Sequence, residues 1–222
     1  MTLVTLVNPW MKLPVEAPYV LPEDDAILRG LAHRNDLALH LLPVPFHGDP
    51  RQAPVVLLGL NPSYRVQADH DENDDADFLE QHRLTLAFES RVPFFNLDPV
   101  FADNGAYRYW HQRLAALIAR FGIDRIGKSV ASVQWFPYRS PTFTRLPRLL
   151  PSQSYGFSLV REAIQRGATI VLLRSRKLWL EAVPELARMP YIELNAPRNM
   201  SVSPGNMPPG AFETLCQRLT PS

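Results

Sequence analysis

Cysteine is almost missing from this chain. Cys216 stands alone, so no disulfide can close within the chain and no thiolate cage can hold a metal ion, which fits a reducing compartment. No apolar run reaches the roughly 18 residues of a membrane span. The short apolar start, MTLVTLVNPWMKLPVE, has no basic segment ahead of it and does not read as a signal peptide. A cytoplasmic protein without membrane contact is expected. Three common signatures are also absent: GxxxxGK(S/T), GxGxxG and GxSxG. Nucleotide hydrolysis, dinucleotide binding and esterase chemistry thereby lose their usual markers, and no cofactor is expected. The one dense acidic stretch, DHDENDDAD at 69–77, carries His70, but its Asp69, Asp71 and Asp74 do not fit a calcium loop, which needs glycine at its sixth place and glutamate at its twelfth. A solvated acidic loop is expected there and no metal site.

What the chain does have is an ordinary globular composition, 46% hydrophobic and 20% charged over 222 residues, enough to bury a sizeable core. One domain is expected over 1–222, with a helix and extended cover in 1–50 and the core in 51–220. The 22 prolines imply short elements and long connections. Residues 22–35 predict a helix with acids in its first turn, where they suit the dipole. Residues 37–47 contain Pro43 and Pro45 and read as an edge strand or extended cover, since proline is barred from central strands. PVVLLGL at 54–60 is the strongest strand signal. Helices are predicted over 78–90, 105–121 (closed by Gly122), 155–166 (ended by Gly167), 176–188 (interrupted by Pro184) and 209–219. Further strands are predicted over 128–136, 168–174 and 191–195. Strand and helix thus alternate, which argues an α/β fold, a three-layer α/β/α sandwich around a central four-stranded parallel sheet.

The net charge of +1 hides a division. Residues 1–104 hold 7 basic and 16 acidic residues, net −9; residues 105–222 hold 16 and 6, net +10. Only Lys128 and Lys177 of that second group are lysines. Arginine makes planar, bidentate contacts with phosphate, so the second half offers a polyanion-binding face. Intermixing of the two halves, with the charges paired off, remains the alternative.

Ligands of parallel sheets sit beyond the carboxyl ends of the strands. Those ends read GLNPSY, QWFPYRS, LRSRK and LNAPRNMSVSPGN. In the first, Gly59 allows close approach, Pro62 stiffens the exit, and Asn61 between them can orient a water or a base edge. Asn61 can equally serve the backbone of a tight turn.

GLNPS after a buried strand resembles the first motif of the uracil-DNA glycosylase superfamily, nearest to the G-(I/M)-N-P-G sequence of its mismatch-specific and single-strand-selective branches. KSVASVQWFPYRS resembles the central strand whose end bears a base-reading asparagine, with Gln134 at that place. NAPRNMSVSPGN falls where the superfamily has its final motif, H-P-S-x-x-(S/R) or N-P-S-x-x, with Asn195 in the leading position. Three departures stand out: the last motif has no histidine, Ser63 replaces a glycine, and the base-reading amide is a glutamine. The resemblance spans roughly residues 50–220.

It implies a DNA glycosylase-like protein that hydrolyses the N-glycosidic bond of a damaged or mismatched base in single- or double-stranded DNA, uracil by default. A non-catalytic nucleic-acid or nucleotide-binding module on the same fold is the alternative. Asn61 is then expected to place the attacking water and Asn195 to support the leaving base or grip phosphate. Gly59, Tyr64, Phe94, Phe95 and Gln134 are expected to form the base pocket, where one aromatic stack contributes ~1–3 kcal/mol; plain core packing is the competing role for either Phe. Arg139, Arg145, Arg148 and Arg198 are expected to meet the strand's phosphates, together with Ser201, Ser203 and the backbone amides around them. His111 is expected to be a helix-surface or packed histidine and Cys216 a buried residue, neither with a chemical role.

Overall fold

The computed structural model describes residues 7–31, 34–64 and 75–220. Five strands form one mixed sheet, ordered β1-β3-β2-β4-β5: β1 (Phe46–His47), β2 (Val55–Gly59), β3 (Val130–Gln134), β4 (Thr169–Leu172) and β5 (Ile192–Glu193). β2, β3, β4 and β5 are parallel and correspond to the four expected strands, while β1 joins β3 antiparallel at the sheet's edge. The sheet is therefore mixed and five-stranded, not purely parallel and four-stranded. Pro43 and Pro45 lie just before β1; the Pro45 carbonyl accepts from the Gln134 N–H at 2.8 Å, and an edge place tolerates the N–H that proline lacks.

Eight helices occur among the described residues: α1 (Pro22–Leu28), α2 (Ala76–Ala87), α3 (Gly105–Arg113), α4 (Ala115–Phe121), α5 (Ile123–Ser129), α6 (Pro151–Gln165), α7 (Arg176–Ala182) and α8 (Ala211–Leu219). Three expectations are corrected. The single helix over 105–121 is broken at Leu114, whose φ −104°, ψ 8° leaves the helical region. Gly122 does close the second piece, and its φ of +80° is a conformation that suits glycine, but α5 follows at once and takes in residues 128 and 129, where the next strand was expected to begin. The helix over 22–35 stops at Leu28. The one over 176–188 is interrupted at Pro184 as expected, giving way there to a 3-10 turn.

Every residue of β2 is buried, and its alternation sends side chains into two separate cores. Val56 and Leu58 join Val133, Ile170 and Leu172 under α1, α6 and α7, around Trp179 and Leu159. Val55 and Leu57 join Val130 and Val171 under α3, α4, α5 and α8, around Trp110, Leu117 and Leu215. Helices thus cover both faces. Each such aliphatic side chain contributes about 1.5–3 kcal/mol on burial, which makes the central strand the most costly element to disturb.

A buried polar joint locks the N-terminal cover to this core. Tyr138 Oη donates to Asp24 Oδ2 at 2.7 Å and accepts from the Leu21 N–H at 3.2 Å. The other Asp24 oxygen accepts from the Ser152 N–H at 3.1 Å, in the first turn of α6. A carboxylate there suits the positive end of a 15-residue helix. Burial nevertheless pushes the Asp24 carboxyl above its ordinary pKa, against the opposing pull of the bonds from Ser152 and Tyr138.

Candidate functional site

From β2 the chain runs to β3 on one side, then crosses back over β2 to β4 and on to β5. In open sheets such a reversal is where a ligand crevice is expected, here the carboxyl ends of β2 and β4. Gly59 ends β2, and its register partner is Gln134, the last residue of β3. A Cβ at position 59 would lie 2.2 Å from Gln134 Oε1 and 2.9 Å from its Cδ. The glycine therefore lets the Gln134 amide cross over the strand. That amide makes no hydrogen bond to a described residue. The Gly59 carbonyl is fixed from two sides, accepting from Trp179 Nε1 at 2.8 Å and from the Trp135 N–H at 3.3 Å.

Beyond Gly59 the two chains stay joined. The Phe136 N–H donates to the Leu60 carbonyl at 2.8 Å, and pairing resumes at a parallel bridge between Ser63 and Ser140. There the Ser140 N–H donates to the Pro62 carbonyl and the Tyr64 N–H to the Ser140 carbonyl, at 3.3 and 3.2 Å. The residues bulging between, 137–139, turn inward and are buried. Asn61 sits inside this clamp. Its Nδ2 donates to the Pro62 carbonyl at 3.1 Å and to Ser140 Oγ at 3.0 Å, while its Oδ1 accepts from no described residue.

Asn195 lies elsewhere. It follows β5, which β4 separates from β2, about 10 Å away at the usual strand spacing. Its Nδ2 donates to the Met207 carbonyl at 2.9 Å and its N–H to the Asn206 carbonyl at 2.9 Å. The structure thus brings Asn61 and Gln134 to neighbouring strand ends and leaves Asn195 closing the final loop. The keystone of that loop is Asn206, 5% exposed, which sequence reasoning passed over. Its Oδ1 accepts from the Ala196 N–H at 2.9 Å, and its Nδ2 donates to the carbonyls of Asn199 and Ser201. Ser201 Oγ and Ser203 Oγ bond to each other at 3.2 Å. The amides of Ser201 and Val202 are already committed, to Asn199 Oδ1 and the Arg113 carbonyl, which removes them as anion donors in this conformation.

The two phenylalanines belong to the core. Phe94 is wholly buried, stacked on His47 with ring centres 5.2 Å apart and edge-on to Trp110 at 5.0 Å. Phe95 packs with Phe78 and Phe101. Neither presents a face to a ligand, because both rings are buried among protein side chains. Tyr64 is half-buried and meets His40 edge-on at 5.6 Å. It lines an open cleft of about 580 Å³ with Asp36, His40, Thr142 and Thr144, and none of the three amides lines that cleft.

The arginines divide. Arg139, on the inward bulge, is 7% exposed and donates to the Leu42 carbonyl, so it is no phosphate contact. Arg145 pairs with Glu181 at 2.9 Å. Arg148 and Arg198 are exposed and form no ion pair with a described residue. Arg174, half-buried at the end of β4 and hence at the crevice, is likewise unpaired among the described residues; the segment LRSRK held this signal. Next to it Ser175 sits at φ +63°, ψ 39°, the left-handed region that non-glycine residues enter at a cost.

A second feature invisible in the sequence is a buried imidazole. Trp110 Nε1 can only donate, so His47 Nε2, 3.2 Å away, accepts, and His47 Nδ1–H donates to Asn96 Oδ1 at 2.6 Å. This neutral form is also what burial favours: His47 is lowered to about 3 by desolvation, with a further push from Arg139. His82 is lowered for the same first reason. His111 stacks on Tyr107, and Cys216 is buried. The acids at 69–74 lie outside the described residues; Asp75 caps α2 through the Phe78 N–H. Among the described residues no three potential ligands gather to hold a metal ion, and no helix is long and apolar enough to cross a membrane.

No family model, curated protein or solved structure matches the chain.

Proposed function

We propose that the protein is a DNA glycosylase-like hydrolase of the N-glycosidic bond of a damaged or mismatched base, with uracil the first substrate to test. The finer fold assignment, a uracil-DNA glycosylase-like α/β/α sandwich around the four parallel strands with β1 added at the edge, is part of the same proposal. One observation carries it: Asn61 and Gln134 occupy neighbouring strand ends at the carboxyl edge of the sheet, each with polar atoms that no described residue uses. Hydrolysis breaks the bond between C1′ and the base nitrogen, joins the water oxygen to C1′, and leaves one water proton on the base. The transition state is rich in positive charge at the sugar, so the water bonds late and needs placement more than a strong base. The Asn61 oxygen supplies that placement. The Gln134 amide, donor and acceptor together, reads the polar edge of the extruded base. Tyr64, on the Asn61 loop, is the aromatic face still available. Arg148, Arg198 and Arg174 meet phosphates.

The binding module without cleavage is favoured by a different observation: Asn195, the expected support for the leaving base, has spent its amide on the Met207 carbonyl. Labelled single- and double-stranded oligonucleotides carrying uracil, hypoxanthine or a G·T mismatch, incubated with protein and then treated with alkali, separate the two. Breaks that vanish in Asn61→Ala support the glycosylase. Binding with no breaks on any of these lesions refutes it in favour of the module.

A further inference from the structure

We infer that Ser140 is a positioning residue which fixes Asn61 as a hydrogen-bond acceptor, so that the group Asn61 meets in a ligand must be a donor: water, a hydroxyl or a ring N–H. The inference rests on the functional reading above for its catalytic part, but its geometry stands independently. An asparagine amide can present either end, and the two ends ask for opposite partners. Here the choice is forced by chemistry. The Pro62 carbonyl can only accept, so the Asn61 atom 3.1 Å from it is the NH₂ group. The same nitrogen reaches Ser140 Oγ at 3.0 Å, which therefore accepts as well. Both N–H bonds of Asn61 are used, and its oxygen is left as the outward-facing polar atom.

Ser140 can enforce this because it cannot move. It is 3% exposed. Its own N–H and C=O are bonded to Pro62 and Tyr64, on either side of the Ser63 bridge. Backbone pairing on both flanks thus fixes the Cα from which the hydroxyl projects, in a site that burial leaves little room to vary. Loss of the hydroxyl leaves Pro62 alone to orient the amide through a contact to the next residue in the chain, and rotation about χ2 then exposes nitrogen about as readily as oxygen. A donor offered to the lone pair of an attacking water orients it wrongly for attack on C1′, so the turnover step suffers while substrate docking does not.

Two measurements decide this. In ¹⁵N-labelled protein the Asn61 side-chain NH₂ protons exchange with solvent at least tenfold more slowly than those of Asn199, an exposed asparagine. Ser140→Ala brings the two rates together and Ser140→Thr, which keeps a hydroxyl, restores the difference. Equal rates for Asn61 and Asn199 in the unaltered protein, or protection that survives in Ser140→Ala, overturn the inference. On a uracil oligonucleotide, Ser140→Ala lowers kcat about tenfold with KM unchanged, and Ser140→Thr recovers most of it; kcat unchanged in Ser140→Ala overturns the catalytic role. If the unaltered protein cleaves no lesion, the glycosylase reading fails, and the proton-exchange result alone supports or overturns the acceptor geometry. Thermal melts of each variant separate unfolding from these effects.

Discussion

Acid should weaken this protein through His47, and the size of the effect can be worked out. The imidazole is 8% exposed, stacked on Phe94 and bonded at both nitrogens. Its folded pKa is about 3 against 6.5 for a free histidine. Between those values the unfolded chain binds a proton that the folded chain refuses, so stability falls as pH falls, from about 6.5 down to about 3. At about pH 5 the loss relative to neutral pH is about 2 kcal/mol, and at about pH 4 it exceeds about 3 kcal/mol. His82 pulls in the same direction, whereas Asp24, with its raised pKa, pulls in the opposite one. The clean comparison is therefore with His47→Gln, which can still accept from Trp110 and donate to Asn96 while having nothing to titrate. Urea unfolding followed by the fluorescence of the four tryptophans, at about pH 7.5 and about pH 5, should show the variant's loss on acidification smaller by about 2 kcal/mol. Losses that agree within about 0.5 kcal/mol, an ordinary error for such extrapolations, would refute the neutral, refusing imidazole.

Three further outcomes are expected. Gly59→Ala pushes the Gln134 amide off the strand, because the new Cβ lands 2.2 Å from Oε1; displacing the end of a flexible side chain costs only about 0.5–1.5 kcal/mol, yet oligonucleotide affinity should drop at least tenfold, and unchanged affinity would exclude Gln134 from the site. Tyr138→Phe strands Asp24 Oδ2 and the Leu21 N–H, costing about 1–3 kcal/mol in a thermal or urea melt, more at neutral pH than in acid because the carboxylate form loses its donor. Arg174→Ala should weaken DNA binding alike for all sequences and lower the salt dependence of log K by about one unit of slope; a full slope in the variant means the side chain meets no phosphate.

How far the sequence spoke depended on whether a residue's partner lay nearby. PVVLLGL announced a buried strand and GLNPSY a tight exit from it, since an apolar run followed by glycine and proline is a local statement; β2 and the Asn61 clamp fit it. The four parallel strands followed from alternation alone. What failed was set at a distance. Asp24 caps α6 at Ser152, 128 positions away, and no window around either residue contains the other. Arg139 was expected outside because it is charged; a bulge in the β3 exit turned it inward. Phe94 and Phe95 show the limit of apolar residues as site markers, since a ring destined for a ligand and a ring destined for the core have the same composition around them. Asn206 and Arg174 lie in strand-exit segments that the sequence marked, but only folding shows that one holds a loop together and the other has no ion-pair partner among the described residues.

The seam between the β2 and β3 exits carries a consequence for how the site behaves in time. Asn61 hangs between two segments that are stitched to each other past the ends of their strands and anchored from behind by a tryptophan indole on the Gly59 carbonyl. Pulling them apart would mean tearing the middle of the sheet. The Tyr64 and Ser140 amide hydrogens should therefore exchange with deuterium only when the whole molecule unfolds, at the pace of Leu57 rather than of a surface turn. A visitor to this end of the sheet would meet a rigid frame, and any adjustment of fit would fall to the visitor.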